Sequence, residues 1–164
     1  MTPAERFWAK VNKQGPINPV LGTRCWLWTA CVDGRGYGKF DNRVFGTWQA
    51  HRNAWAFVHG APPTGLVDHH RHCPKICVNP DHLRPVTHKQ NMENLAGERR
   101  NSRSQVRGVR WHRGAWEAVV RHNHHTYYLG RYASKGAAEL AAVTKRNQLF
   151  THNDADQEMR CGNR

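Results

Sequence analysis

"VDHHRHCPKICVNPDHLRPVTHKQN", residues 67–91, gathers five histidines, two cysteines, two aspartates and two asparagines into one segment. Each of these side chains can give a lone pair to a cation or move a proton. Tetrahedral zinc needs four Cys or His ligands within reach of one point. "CPKICVNPDH" supplies Cys73, Cys77 and His82 inside ten residues, with Pro74 and Pro80 stiffening the turns between them. The fourth ligand must come from elsewhere. Cys25 is the first choice; His72 and Cys31 are the substitutes.

The same stretch carries a second pattern. "GLVDH" reads as a short strand ending at Asp68-His69, "HLRPVT" as a second strand and "HKQNMEN" as a short helix. A histidine on the first strand and an asparagine on the helix would surround a divalent cation. Phosphodiester hydrolysis needs a base for water and a Lewis acid for the scissile phosphate. A neutral imidazole suits the base. The oxygens of Asp68 and Asn91 suit magnesium or another hard divalent ion.

Composition points to the same partner. Across 164 residues, 25 Lys+Arg face 12 Asp+Glu, a net charge of +13 and a pI near 10.2. Such an excess attracts polyanions, nucleic acid first. Five cysteines, an odd number, fit metal ligation in a reducing compartment better than a disulfide framework. No apolar run approaches a membrane span, and "MTPAERFWAK" has no long apolar stretch, so a soluble cytoplasmic protein is expected.

Upstream, "TPAERFWAKV" reads as a helix with Thr2 as N-cap, Pro3 in the first turn, Glu5 closing a capping box, and Phe7, Trp8 and Val11 as its apolar face. "CWLWTACVDGRGYGKF" reads as a hairpin about "DGRG", and "QAHRNAWAFVHG" as a helix stopping at Gly60. Downstream, "AGERRNSRSQ" is polar and linker-like. Residues 106–132 alternate as three strands, with Gly114 and "HNHH" (122–125) at the turns. Ser134 caps a last helix whose small face is read as Ala137, Ala138, Leu140 and Ala141; the tail beyond Thr151 is read as loose. Between residues 99 and 131 stand eight arginines and a single acid, Glu117. Arginine forks suit phosphates and guanine edges.

"VDH", "CVNPDHL" and "VTHKQN", with upstream "ERFWAKV", "CWLW", "GYGKF" and "AHRNAWAF", resemble the HNH nucleases of the ββα-metal superfamily, above all phage-encoded and homing endonucleases with an added structural zinc. The resemblance implies His69 as general base, Asp68 and Asn91 as holders of the catalytic cation, and Cys25, Cys73, Cys77 and His82 as zinc ligands. It also implies that Asn79 braces the loop. Arg52 is a phosphate neighbour or a plain surface charge. A gapless register from Cys77 would instead put His70 in the base position and His72 in the place of the first loop cysteine. Keeping Asp68-His69 requires one inserted loop residue.

The order "VRGVRWHRGAWEAVVR…YYLGRY…AAELAAV" resembles the DNA-binding domain of plant ethylene-response transcription factors, three antiparallel strands backed by a helix. By that resemblance Arg107, Arg110, Arg121 and Tyr128 fall on DNA-contact positions; Arg113 and Arg131 complete the DNA-binding set. His112 and Thr126 stand where that family has arginine. The expectation is an α+β protein: a zinc-stabilised nuclease domain over 1–97, a linker over 98–104, a DNA-binding module over 105–152 and a flexible tail over 153–164. It would be an endonuclease on double-stranded DNA with structural zinc and catalytic magnesium or another divalent ion. The alternative is a zinc-containing DNA-binding or regulatory protein that does not cut.

Overall fold

The computed structural model describes residues 1–41, 44–95 and 102–161, with side chains to 157. The chain is α+β and separates into two compact units, Met1–His88 and Lys89–Arg164. Most of the expected linker, residues 98–101, lies outside the described residues.

The first unit begins with α1 (Pro3–Trp8). Thr2 Oγ1 accepts from the Glu5 amide, and Glu5 Oε2 accepts from the Thr2 amide, the reciprocal pair of a capping box. Phe7 is fully buried, with the rings of Trp8, Trp28, Phe40 and Phe57 between 4.8 and 5.3 Å away. Burying a side chain of that size contributes about 1.5–3 kcal/mol. Strands β1 (Val11–Asn12) and β2 (Leu27–Trp28) pair antiparallel.

The expected hairpin about "DGRG" keeps its turn but not its ladder, since β2 pairs with β1 instead. Asp33 Oδ1 accepts from the amides of Arg35 and Tyr37, while Val32 and Gly38 make only an isolated bridge. The backbone at Gly38 lies so close to Trp28 that a Cβ there would stand 2.6 Å from the indole. Ring-on-backbone packing of this kind replaces a regular ladder.

Helix α2 (Ala50–His59) ends at Gly60, whose φ of 79° serves a left-handed cap. It packs against the 3₁₀ turn Pro80–His82. Strands β3 (Leu66–His69) and β4 (Leu83–Val86) pair antiparallel with Asp68 opposite Arg84 and His69 opposite Leu83. Helix α3 (His88–Glu93) follows, so the strand, strand and helix expected from the opening stretch are all formed.

In the second unit β5 (Val109–His112), β6 (Ala115–His122) and β7 (His125–Tyr132) form one antiparallel sheet in that order. Asn123 and His124, both at positive φ, make the two-residue β6–β7 turn. Helix α4 (Lys135–Leu149) is capped by Ser134 Oγ on the Ala137 amide and packs on one face of the sheet over Val109, Ala118 and Val120. Its buried stripe is Ala138, Ala142, Val143 and Arg146. The expected stripe is thus rotated: Ala137 and Leu140 are exposed, and Val143 and Arg146 join Ala138 and Ala142 on the buried face.

Residues 154–161, read from the sequence as part of a loose tail, form helix α5 (Asp154–Cys161). A buried pair holds it: Arg146 Nε and Nη2 donate to Asp156 at 2.5 and 2.8 Å. Polar composition concealed this staple, since it depends on a single arginine buried in α4.

Candidate metal centre and active site

Four ligand atoms converge in the first unit. The sulfurs of Cys25, Cys73 and Cys77 and a ring nitrogen of His82 all lie within 4.8 Å of one another. His82 Nδ1 is 3.5 Å from Cys25 Sγ, 3.4 Å from Cys73 Sγ and 3.7 Å from Cys77 Sγ. Zinc bonds of about 2.3 Å to sulfur and about 2.0–2.1 Å to nitrogen, at tetrahedral angles, would separate S and N by about 3.6 Å. The cage therefore has the size and the soft donor set of a structural zinc site. It is the one such convergent His/Cys/Asp/Glu group among the described residues.

The local chain explains the convergence. Trp28 N–H donates to Ile76 O and Val78 N–H to Trp26 O, so the 76–78 segment runs beside β2 and carries Cys77 to Cys25. Asn79 Oδ1 caps the 3₁₀ turn through the Asp81 amide, and its Nδ2 donates to Arg24 O, which fixes His82 against the same strand. Two residues outside the sequence-based set complete the cage. Thr23 Oγ1 lies 2.7 Å from His82 Nε2, and buried Asn18 donates to Cys73 Sγ at 3.1 Å and to Arg71 O at 2.7 Å. "NPVLGTRC" offered only a turn-forming Asn-Pro before Cys25 as a signal. His72, the alternative ligand, is exposed at φ 66° and outside the cage, as is the exposed Cys31.

The three sulfurs of the cage differ in acidity. The hydrogen bond from Cys73 chiefly, with amides of the Asn79 and Trp26 backbone, brings the Cys77 thiol down to about 5. Burial and the adjacent Cys77 push Cys25 up to about 11, and Cys73 is raised by its bond to Cys77 and by burial. A thiolate with two neighbouring thiols is a ready acceptor for a soft divalent ion, whose binding displaces the remaining protons.

Next to this cage stands His69. Its Nε2 is 2.9 Å from Cys77 O. A carbonyl only accepts, so Nε2 carries the proton and Nδ1 keeps the lone pair of a base. Burial holds the His69 pKa below the usual histidine value, which keeps the ring neutral. The rings of His51 and Tyr37 lie 5.2 and 6.0 Å from it. His70 follows β3, and its amide donates to His82 O, tying the strand end to the zinc loop. Asp68 faces Arg84, whose Nη2 is 3.2 Å from its Oδ2. Arg52 donates to the carbonyls of Gly65 and Pro63 at 2.6 and 2.8 Å, bracing the loop before β3. Asn91 lies half-buried on α3.

Residues 49–93 match the family model described as HNH endonuclease. No curated protein and no solved structure matches the chain. The HNH segment spans α2, β3, the cysteine loop, β4 and α3, and so contains His51, Asp68, His69, Asn79 and Asn91 as well as three of the four cage residues. A metal-dependent nuclease acting on nucleic acid is what that family supports.

In the second unit, cross-strand pairing sets Arg110, Glu117 and Arg131 in one row and His112 beside Ala115 in the next. On the same open face Tyr128 pairs with Val119, and Arg121 with Thr126; both Arg121 and Tyr128 are exposed. Glu117 gathers the row: Arg110 Nε and Nη2 each stand 2.9 Å away, His112 Nδ1 3.1 Å and Arg131 Nε 3.9 Å. The bond from His112, then those from Arg110, hold the Glu117 carboxyl below its usual range. Arg113 sits in the β5–β6 turn at φ 47°, with its carbonyl accepting from Arg131 Nη2.

Arg107, one of the residues with an implied DNA-contact role, is engaged within the second unit. Its guanidinium donates to the carbonyls of Met92, Glu93 and Leu95 at 2.9–3.2 Å and stacks over Phe150. It caps the carboxy end of α3, where a cation is favoured. Of "HNHH", His122 is 13% exposed and 3.3 Å from Glu93 Oε1, a pairing its turn position did not announce. Among the described residues no helix is long and apolar enough to cross a membrane.

Proposed function

We propose that the chain is a metal-dependent endonuclease on double-stranded DNA, with a zinc-stiffened HNH site in its amino-terminal part and a basic sheet that grips the duplex. The observation carrying this reading is the hydrogen bond from His69 Nε2 to Cys77 O inside the HNH-matched segment. His69 Nδ1 removes a proton from water; the water oxygen attacks phosphorus, and the opposite P–O bond breaks, leaving as an alkoxide that takes up a proton. The Cys77 carbonyl stabilises the imidazolium as it forms and stops the ring from turning. Asp68 would be an oxygen donor to a catalytic divalent cation, and for Asn91 the same role is what the resemblance implies. Bound there, magnesium or a similar ion supplies Lewis-acid stabilisation of the charge on the leaving oxygen. Cys25, Cys73, Cys77 and His82 take zinc as a structural ion.

Of the DNA-binding set, Arg110, Arg113, Arg121, Tyr128 and Arg131 are proposed to meet the duplex, while Arg107 serves α3. The homing-type role, the phage kinship and the domain limits 1–97 and 105–152 belong to this same proposal, as does activity in the cytoplasm of a host cell. The rival, a DNA-binding protein that does not cut, draws on one observation: Asp68 is already paired with Arg84. Incubating supercoiled plasmid with magnesium, with and without EDTA, decides between them. Nicked or linear product that EDTA abolishes, and that His69→Ala lacks while His70→Ala retains it, supports the enzyme. Supercoiled DNA persisting under every divalent metal supports the rival.

A further inference from the structure

His51 is the second residue of α2, 4% exposed, and lies against the ring of His69 with centroids 5.2 Å apart. Tyr37 packs against both rings, 5.5 Å from His51 and 6.0 Å from His69, and is itself held under Lys75, whose Nζ stands 5.4 Å from the phenol ring and donates to Arg35 O. Within this wall of rings His51 Nδ1 is buried and has no hydrogen-bond partner among the described residues. An unmet buried donor or acceptor costs about 1–3 kcal/mol. A phenyl ring would fill the same space without that cost, so the nitrogen is there for something packing alone does not supply. Orphaned buried groups are explained by an absent water, ion or reactant. Burial, with His69 and Arg52 adjacent, takes the His51 pKa down to about 3, so the ring offers a neutral hydrogen bond and no charge.

We propose that His51 is a second catalytic imidazole: its Nδ1 holds the oxygen of the water from which His69 takes a proton. The inference rests on the nuclease reading above. The spacing permits it, because one oxygen can lie at about 2.8 Å from a nitrogen of each ring when the rings are this close. A buried water needs at least two polar partners, and the two imidazoles provide them. Water gives one proton to His69 Nδ1 and keeps its contact with His51 Nδ1, so the attacking lone pair is aimed without any change of charge on His51.

Three variants of the full chain test it: His51→Phe, which keeps the ring and removes the nitrogens; His51→Asn, whose amide reaches the Nδ1 position; and His51→Gln, whose amide reaches the Nε2 position. Each is loaded with zinc and magnesium and assayed for single-turnover cleavage, DNA affinity and zinc content. Cleavage is expected to fall about 100-fold in His51→Phe with affinity and zinc unchanged, to recover about tenfold or more in His51→Asn, and to stay low in His51→Gln. A His51→Phe rate within about twofold of wild type, or His51→Asn no faster than His51→Gln, overturns the assignment. If His51→Phe does not fold, the Asn-to-Gln ratio decides alone. His69→Ala separates the two layers. Its full activity would remove His69 as the base on which the proposal rests, and no cleavage by wild type under any divalent metal would remove the nuclease reading itself, whereas inactivity of His69→Ala beside an active His51→Phe would remove only the role of His51.

Discussion

Thr23→Val tests the metal cage through one atom. The hydroxyl of Thr23 is 2.7 Å from His82 Nε2, and His82 is fully buried. With Nδ1 pointed at three sulfurs 3.4–3.7 Å away, Nε2 must carry the proton and donate it to Thr23. Valine preserves the shape of the side chain and removes the acceptor. Two independent routes give the size of the effect. Loss of a partner by a buried donor costs about 1–3 kcal/mol, and loss of an outer partner to a zinc-bound histidine costs about 10–100-fold in affinity. Those ranges agree, since tenfold corresponds to about 1.4 kcal/mol. Thr23 is itself exposed, so water replaces the hydroxyl in part, and the tenfold end is expected. Competition with a chromogenic chelator measures it: Thr23→Val should bind one zinc about tenfold more weakly, and Thr23→Ser should match wild type. Equal affinity for Thr23→Val and wild type would mean that His82 does not bind through Nδ1, and the cage as drawn would be wrong.

Three further outcomes follow from separate parts of the molecule. Cys25→Ala should abolish stoichiometric zinc and lower Tm sharply, given that structural zinc contributes about 10–16 kcal/mol of apparent binding free energy, whereas Cys31→Ser should leave both unchanged; zinc counted by elemental analysis decides. His51 has a folded-state pKa near 3 against 6.5, so the unfolded chain takes up a proton first as pH falls. Stability is therefore full above about pH 6.5, lower by about 2 kcal/mol at pH 5, and stops falling on this account near pH 3; urea titrations across that window should show a slope that His51→Asn flattens. Arg107→Ala should cost about 1.5–3 kcal/mol of stability through the uncapped α3, with the salt dependence of DNA binding unchanged. A slope smaller by about one would return Arg107 to the DNA face.

How far the residues announced this structure depends on how local each cause is. The capping box at Thr2 and Glu5, the stop at Gly60 and the turn at Asn123-His124 are settled within a few residues, and all stand where the pattern placed them. Cys73, Cys77 and His82 are equally local. Cys25 joins them across nearly fifty residues, but thiol chemistry leaves few candidates, and that made it readable. What stayed hidden depends on tertiary placement. Thr23 and Asn18 are ordinary turn residues until a buried imidazole and a thiol arrive beside them. Arg107 looks like any other arginine of a basic stretch until the end of α3 presents three carbonyls to it. His51 passes for a polar residue on an amphipathic helix until α2 meets the turn carrying His82 and sets its ring on His69.

Cys77 connects the two kinds of chemistry assigned to the opening stretch. Its sulfur belongs to the metal cage, and its carbonyl, a few bonds away, accepts the hydrogen bond that orients His69. The peptide plane at residue 77 cannot rotate freely while the sulfur is fixed by an ion and the neighbouring backbone pairs with β2. A structural ion in this position would therefore set the direction of the lone pair proposed as the base, without touching substrate. His69 ends a strand of only four residues, beside a cysteine loop with few apolar side chains, and zinc in the cage would supply there the rigidity that packing supplies elsewhere. Loss of zinc should then lower the rate of cleavage before it lowers affinity for DNA, because the grip proposed for the basic sheet is built from residues outside the cage. A chain stripped of zinc that cleaves at the same rate as the loaded one would break this connection between the two sites.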